Sequence, residues 1–396
     1  MANLSSMKNV FVVLIISFLR RPVSSSPPHL NYDSIFSFGD SLADTGNLLL
    51  SGARTFPFIA KLPYGKTFFH YPTGRCSDGR LIVDFIAEAY GLPYLPPYLA
   101  VAKGEKSEHG VNFAVAGATA LDAKFFYDRN LGSQLLLTND SLSVQLGWFS
   151  KLKSTLICST KQDTDCARRF QKSLFLVGEI GGNDYNYPFF AGGTIQQLKQ
   201  LVPLVVETIA NATSVLIEEG AVELMVPGNL PIGCNAVYLT LFRTPDKAAY
   251  DRNGCLKAYN GFSKYHNSKL KLALENLRYK YPHAKIIYAD YYAAAIRFFH
   301  APHHYGFWNG ALVACCGGGG PYNFNNSAMC GSPGSKTCSD PTTYANWDGI
   351  HLTESAYRVI TMGLVNGPFT DPPLTVPPIN PFKLFHSQNS FQSNKN

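Results

Sequence analysis

The chain has 396 residues, of which 46% are hydrophobic and 15% charged, enough apolar material for one large core or two moderate ones. Its formal charge is +7, and loss of Lys8, Arg20 and Arg21 with residues 1–30 lowers that to +4. So thin an excess on a chain of this size argues against nucleic-acid binding, which needs a concentrated basic footprint.

In chain order, Lys8 precedes the apolar run "NVFVVLIISFL" and the small residues "VSSS", the pattern of a signal peptide over residues 1–26. The run at 10–19 is short for a bilayer span, and Arg20 and Arg21 behind it would also suit an uncleaved anchor. The favoured reading is cleavage and delivery to the secretory pathway, ending outside the cell in the apoplast or in the vacuole. No later stretch reads as a membrane helix, so no stable membrane insertion is expected. "DSIFSF" is a short buried strand that ends in the turn "GDS". "GRLIVDFIAEAYGL" carries apolar residues at helical spacing and stops at Gly91. "HGVNFAVAGATAL" is a strand entering a small-residue turn, "SLSVQLGWFSKLKSTL" an amphipathic helix, and "SLFLVGEIGGNDYN" a strand followed by a glycine-rich loop. The second half repeats the alternation, with a long helical region interrupted or bent near Pro203, a strand followed by a loop at "AVELMVPGNLPIGC", a strand at "AKIIYADYY" and a last helix at "SAYRVITMGLVNG". Apolar strands separated by amphipathic helices predict an α/β domain around a mainly parallel sheet. Residues 306–346 read as a loop-rich flap, and the polar end of the chain, 371–396, as a tail.

Nine cysteines fit an oxidising compartment. Cys158 with Cys166, Cys330 with Cys338, and Cys234 with Cys255 are spacings that close loops, and the odd total leaves Cys76 or one of Cys315 and Cys316 over. The pair Cys315-Cys316 lacks the surrounding ligands of a zinc site, so no metal is expected. Acceptor sequons stand at Asn139, Asn211 and Asn325, with a further one at Asn3 inside the leader.

The stretch "IFSFGDSLADTGN" leaves open whether Ser41 is a helix cap or a nucleophile. A nucleophilic serine needs a base, and the base needs an orienting group. "NWDGIHLTESAYR" offers both, with Asp348 and His351 separated by two residues, one of them the flexible Gly349. Acyl transfer also needs donors for the oxyanion. Gly117, through its backbone N–H, Asn183, through its amide, and the Ser41 N–H are the candidates. Asp40 reads as a local cap of the turn. The G-x-S-x-G elbow is absent around Ser41, and "GGGG" at 317–320 lacks the Lys-Ser/Thr of a phosphate loop.

The blocks "FGDSLADTGN", "GVNFAVAGATALD", "GGNDYN" and "DGIHLTESAYR", in this order, resemble the GDSL esterase/lipase family, or SGNH hydrolases, in its secreted plant branch. The likeness covers roughly residues 32–370. It implies a three-layer, flavodoxin-like fold with a central, mainly parallel sheet. It also implies a carboxylic-ester hydrolase without cofactor, with Ser41 as nucleophile, His351 as base, Asp348 as its orienting group, and Gly117 and Asn183 completing the oxyanion hole with the Ser41 N–H. Cys76 departs from the pattern, standing where many members carry an aromatic residue. The block wording is nearest the subgroup that contains acetylajmalan esterase and sinapine esterase. That implies a small-molecule ester of specialised metabolism as substrate, with deacetylation of an alkaloid as one refinement, and a monomer. An acyltransferase using the same acyl-serine, or a binding protein on an inactive scaffold, are the alternatives.

Overall fold

The computed structural model describes residues 32–154 and 164–374. The expected signal peptide, Asn3, Cys158 and all but the first four residues of the expected tail lie outside them, as does the side chain of Cys166. The strands are β1 (Ser34–Ser37), β2 (Gly110–Asn112), β3 (Ser173–Leu176), β4 (Glu223–Pro227), β5 (Lys285–Ala289), β6 (Cys316–Gly317), β7 (Lys336–Thr337) and β8 (Thr370–Asp371). Six of them form one sheet in the order β2-β1-β3-β4-β5-β8, parallel throughout except for the edge pair β5–β8. The first five follow the flavodoxin-like order, in which the chain builds outward from β1 first to one side and then to the other.

Alternation along the strands divides the core into two layers. Register places Val111, Phe36, Phe175, Leu224 and Ile286 side by side across five strands. This row packs against the helices Leu142–Leu152, Val202–Glu218 and Lys257–Lys280. The intervening residues Ile35, Leu174, Met225 and Ile287 face the other way, onto the helices Ile82–Ala89, Tyr291–His300 and Glu354–Val365. Each such buried side chain contributes about 1.5–3 kcal/mol of apolar transfer, which is why both helical layers are held to the sheet. The result is the three-layer α/β architecture with a mainly parallel sheet that the sequence pattern led one to expect.

The long helical region is interrupted just before Pro203, as expected, into two helices, Ile195–Lys199 and Val202–Glu218, and Pro203 lies in the first turn of the second, where its missing N–H costs nothing. Two other local readings need correction. The stretch Ile195–Glu218 is, by length and composition, long and apolar enough to cross a membrane, contrary to the sequence reading, and half of its most apolar window is buried in the core. Cys330 pairs with Cys316 rather than with Cys338, which joins Cys315. Cys234–Cys255 is bonded, and Cys76 is free and buried. The two nested disulfides and the ribbon β6–β7 brace the loop-rich segment 306–346. That segment is a support, because the Cys315 and Cys316 N–H groups donate to the carbonyls of Asn346 and Trp347 at 3.0 and 2.7 Å.

Buried side chains tie the strand ends together. Asp44 accepts the N–H groups of Gly46, Asn47 and Leu48, and reaches across to that of Ala116 at 2.8 Å. Asn47 donates to the Asn112 and Ala114 carbonyls and accepts from the Leu99 N–H. Gln145 holds both the N–H and the carbonyl of Gly39 at 2.9 Å. Asp184 accepts from Ala120 and Leu121 at 2.8 and 2.9 Å. Removing such an acceptor leaves buried amides unpaired, at about 1–3 kcal/mol each. Asp44→Ala is therefore expected to lower the unfolding free energy by at least about 3 kcal/mol, and Asp44→Asn, which keeps one acceptor, by less. Urea unfolding followed by linear extrapolation checks both; an Asp44→Ala protein as stable as the parent contradicts the account.

Candidate active site

Three loops leave the same end of the sheet. The chain runs out of β1 through Phe38 and Gly39 into Asp40 and Ser41, and Ser41 is 8% exposed at the edge of a cavity. Gly39 takes φ +131°, and a Cβ there would lie 2.7 Å from the Glu179 carbonyl, so only glycine lets β1 and the loop after β3 pass this closely. The Asp40 N–H donates to that same carbonyl at 2.9 Å. The turn is thus set by backbone packing before the serine side chain enters the argument.

Asp348 and His351 lie in the loop that precedes the helix Glu354–Val365. Gly349, at φ +106°, makes the bend, with its carbonyl accepting from the Val237 N–H at 3.0 Å. Asp348 Oδ1 accepts the N–H groups of Ile350 and His351 at 3.0 and 2.8 Å. Its Oδ2 meets His351 Nδ1 at 2.7 Å and accepts from the Tyr64 hydroxyl at 2.8 Å. The other ring nitrogen, Nε2, lies 2.8 Å from Ser41 Oγ, across 310 residues of chain. Ser41, His351 and Asp348 therefore form one hydrogen-bonded line, all three less than a tenth exposed.

Burial alone would lower the His351 pKa. The Asp348 carboxylate, with Cys76 meeting the ring, outweighs it and holds the imidazole well above its ordinary value. Burial would likewise raise Asp348, and the imidazole and backbone N–H groups hold it below the usual carboxylate range. Asp40 and Glu179 face one another behind the serine turn. Burial raises both, and Glu179, next to Asp40, is raised furthest. Two carboxyl groups in one dry space each disfavour the other's charge.

Gly117 and Asn183 line the same cavity as Ser41. Gly117 has φ +86°, and a Cβ would stand 2.5 Å from Leu137 Cβ and 2.9 Å from Tyr187 Oη. Its carbonyl accepts the Tyr187 hydroxyl at 2.7 Å, which fixes the peptide. Among the described residues, neither the Gly117 nor the Ser41 N–H meets an acceptor. Asn183 sits in the first turn of the helix Gly182–Phe190 rather than on a free glycine-rich loop, and its Nδ2 donates to Asp40 Oδ2 at 3.2 Å and to the Ala118 carbonyl at 3.0 Å. Asp40 does cap locally, accepting the Leu42 N–H at 2.9 Å. The cavity measures about 590 Å³ and is walled by Phe56, Tyr64, Tyr187, Phe189, Phe242 and Phe324. No lysine or arginine lines it among the described residues. No cluster of His, Cys, Asp and Glu in the described residues is arranged to hold a metal ion.

A hydroxyl, an oriented imidazole and unpaired N–H groups around one apolar cavity are the parts of an acyl-transfer site. Comparison with known proteins agrees: the family model for GDSL-like lipase/acylhydrolase matches residues 35–364. The chain belongs to this GDSL family. It is 57% identical to a GDSL esterase/lipase of Arabidopsis thaliana over 371 residues, 92% of this chain and 98% of the relative. A second Arabidopsis thaliana GDSL esterase/lipase is 49% identical over 372 residues, 93% of each. Sinapine esterase of Brassica napus is 50% identical over 351 residues, covering 88% of this chain and 89% of its own. Membership makes this GDSL protein a carboxylic-ester hydrolase of small-molecule esters.

Tyr64, Gln145 and Glu179 went unread in the sequence, because each meets its partner across a long separation and carries no spacing signal. The geometry of the Asp348–His351 pair makes a direct prediction. NMR titration of the His351 ring should give a pKa above the ordinary imidazole value, and Asp348→Asn should move it downward by removing the charge that raises it. Identical titrations in the two proteins would refute the electrostatic account.

Proposed function

We propose that this chain is a secreted plant serine esterase that hydrolyses a small, aromatic-bearing ester of specialised metabolism, an acetylated alkaloid being one such substrate. The line of Ser41, His351 and Asp348 at 2.8 and 2.7 Å beneath an aromatic cavity is the observation that carries the reading. In this mechanism Ser41 Oγ attacks the ester carbonyl while its proton passes to His351 Nε2, and Asp348 steadies the imidazolium. Negative charge developing on the carbonyl oxygen is met by the Ser41 and Gly117 N–H groups and by the Asn183 amide. The C–O bond to the alcohol breaks, and the alcohol departs with the proton from Nε2. Water then gives its proton to His351, attacks the acyl carbon and releases the acid, restoring Ser41.

The cavity supports the substrate class. About 590 Å³ falls in the size range of small-molecule sites, and aromatic walls without a cationic side chain favour a planar group that carries no negative charge. The 50% identity to a protein named sinapine esterase points the same way. In this proposal residues 1–26 are removed in the secretory pathway, residues 32–370 form a single monomeric catalytic domain without stable membrane insertion, and 371–396 form a tail. Asn139, Asn211 and Asn325 are all exposed, as acceptors of N-glycans must be.

Ser41→Ala is expected to lower kcat/KM on an aryl acetate by at least about 10³-fold while leaving the unfolding curve unchanged. Parent-like turnover in a folded Ser41→Ala protein refutes the mechanism. Since a raised pKa keeps the imidazole protonated to higher pH, kcat/KM should rise with pH through that value, and the rise should sit at lower pH in Asp348→Asn. Mass-spectrometric product analysis over acetylated alkaloids, aromatic acyl esters, sugar acetates and long-chain acyl lipids tests the substrate class. Preference for the lipids would overturn it, and ester exchange onto an added alcohol in place of acid release would reassign the enzyme as an acyltransferase.

A further inference from the structure

The helix Gly182–Phe190 carries a second asparagine, Asn186, one turn after Asn183, and the two side chains are joined. Asn186 Nδ2 donates to Asn183 Oδ1 at 3.2 Å, and Asn186 Oδ1 accepts the Tyr238 hydroxyl at 2.6 Å. At the other end, Asn183 Nδ2 faces Asp40 Oδ2 and the Ala118 carbonyl. The Ala118 carbonyl can only accept, so the amino end of the Asn183 amide lies toward it. Its carbonyl must then take a donor from Asn186, whose own carbonyl must take the Tyr238 O–H. The direction of every bond is set from end to end, and reversing one amide would place acceptor against acceptor.

We propose that Asn186, supported by Tyr238, is a positioning residue: by holding the Asn183 carbonyl it keeps the amino end of that amide beside Asp40 and the Ser41 turn, where the N–H given to Asp40 Oδ2 at 3.2 Å can turn to the oxyanion. The inference rests on the serine-esterase reading and adds to it a residue that acts through Asn183. Without the Asn186 donor the Asn183 carbonyl loses its partner and the amide is held at its amino end alone, so its N–H is less well aligned where negative charge develops. The loss belongs to the transition state and not to substrate binding. Tyr238 is buried and does not line the cavity, so its hydroxyl can influence turnover only through this chain of contacts.

The test measures kcat and KM on a small aryl ester for the parent, Asn186→Leu, Tyr238→Phe, Asn183→Ala and the double variant Asn183→Ala/Asn186→Leu, with Ser41→Ala as control. Asn186→Leu is expected to lower kcat by about tenfold or more with KM within about twofold, and Tyr238→Phe to lower kcat by about threefold. In the Asn183→Ala background, Asn186→Leu should cost less than about twofold, because the residue through which it acts is gone. Full additivity of the two substitutions overturns the proposal, as does a raised KM with kcat unchanged, which would make Asn186 a substrate contact. Thermal unfolding accompanies each variant. If Asn186→Leu does not fold, Tyr238→Phe carries the decision, and parent kcat in that variant overturns the proposal. An active Ser41→Ala protein removes the serine-esterase reading and this inference with it, whereas an inactive one with additive variants removes the inference alone.

Discussion

Buried amides must find acceptors, and in this molecule that constraint assembles the site. Where parallel strands end, their loops carry N–H groups that the sheet no longer satisfies and that water does not reach. Asp44 and Asp184 supply the missing acceptors, one joining the loop after β1 to the loop after β2, the other joining the loop after β3 to that same middle loop. Gln145 does the same for Gly39 from a helix. Ser41, Gly117 and Asn183 sit within a few residues of these ties. Their mutual placement follows from polar satisfaction, and the apolar cavity walls are built around it.

The imidazole is held by different means. Asp348 closes a tight loop on the N–H groups of Ile350 and His351, and Tyr64 fills the remaining capacity of its Oδ2. The braced segment 306–346 grips the carbonyls just upstream. A carboxylate so fully occupied has one orientation, and the ring it faces has one as well. The rigidity of the acid–base loop is therefore borrowed from two disulfides and a buried tyrosine at some distance along the chain.

Much of this was legible in advance. Alternating apolar runs and amphipathic helices encode the layered sheet, because those periods reflect burial directly, and the four ordered blocks single out Ser41, Gly117, Asn183, Asp348 and His351. What escaped reading has a common physical origin. Cysteine pairing depends on which sulfurs meet after folding, so Cys316 took Cys330 and left Cys338 to Cys315. Two glycines disguised the start of the helix Gly182–Phe190, and with it the one-turn spacing that brings Asn186 beside Asn183. Tyr64 and Asp348 are 284 residues apart and share no pattern. The apolar stretch Ile195–Glu218 shows the reverse limit, since composition alone does not distinguish a core helix from a spanning one.

The separation of 310 positions from Ser41 to His351 carries a consequence for biosynthesis. The hydroxyl leaves the ribosome among the earliest segments of the domain and the imidazole among the last. A growing chain that has already closed its first strands displays an unassisted alcohol, no more reactive than any surface serine. In the proposed mechanism the serine gains its base only after the loop carrying His351 has been released, so the hydroxyl has no partner imidazole while the chain is still being made.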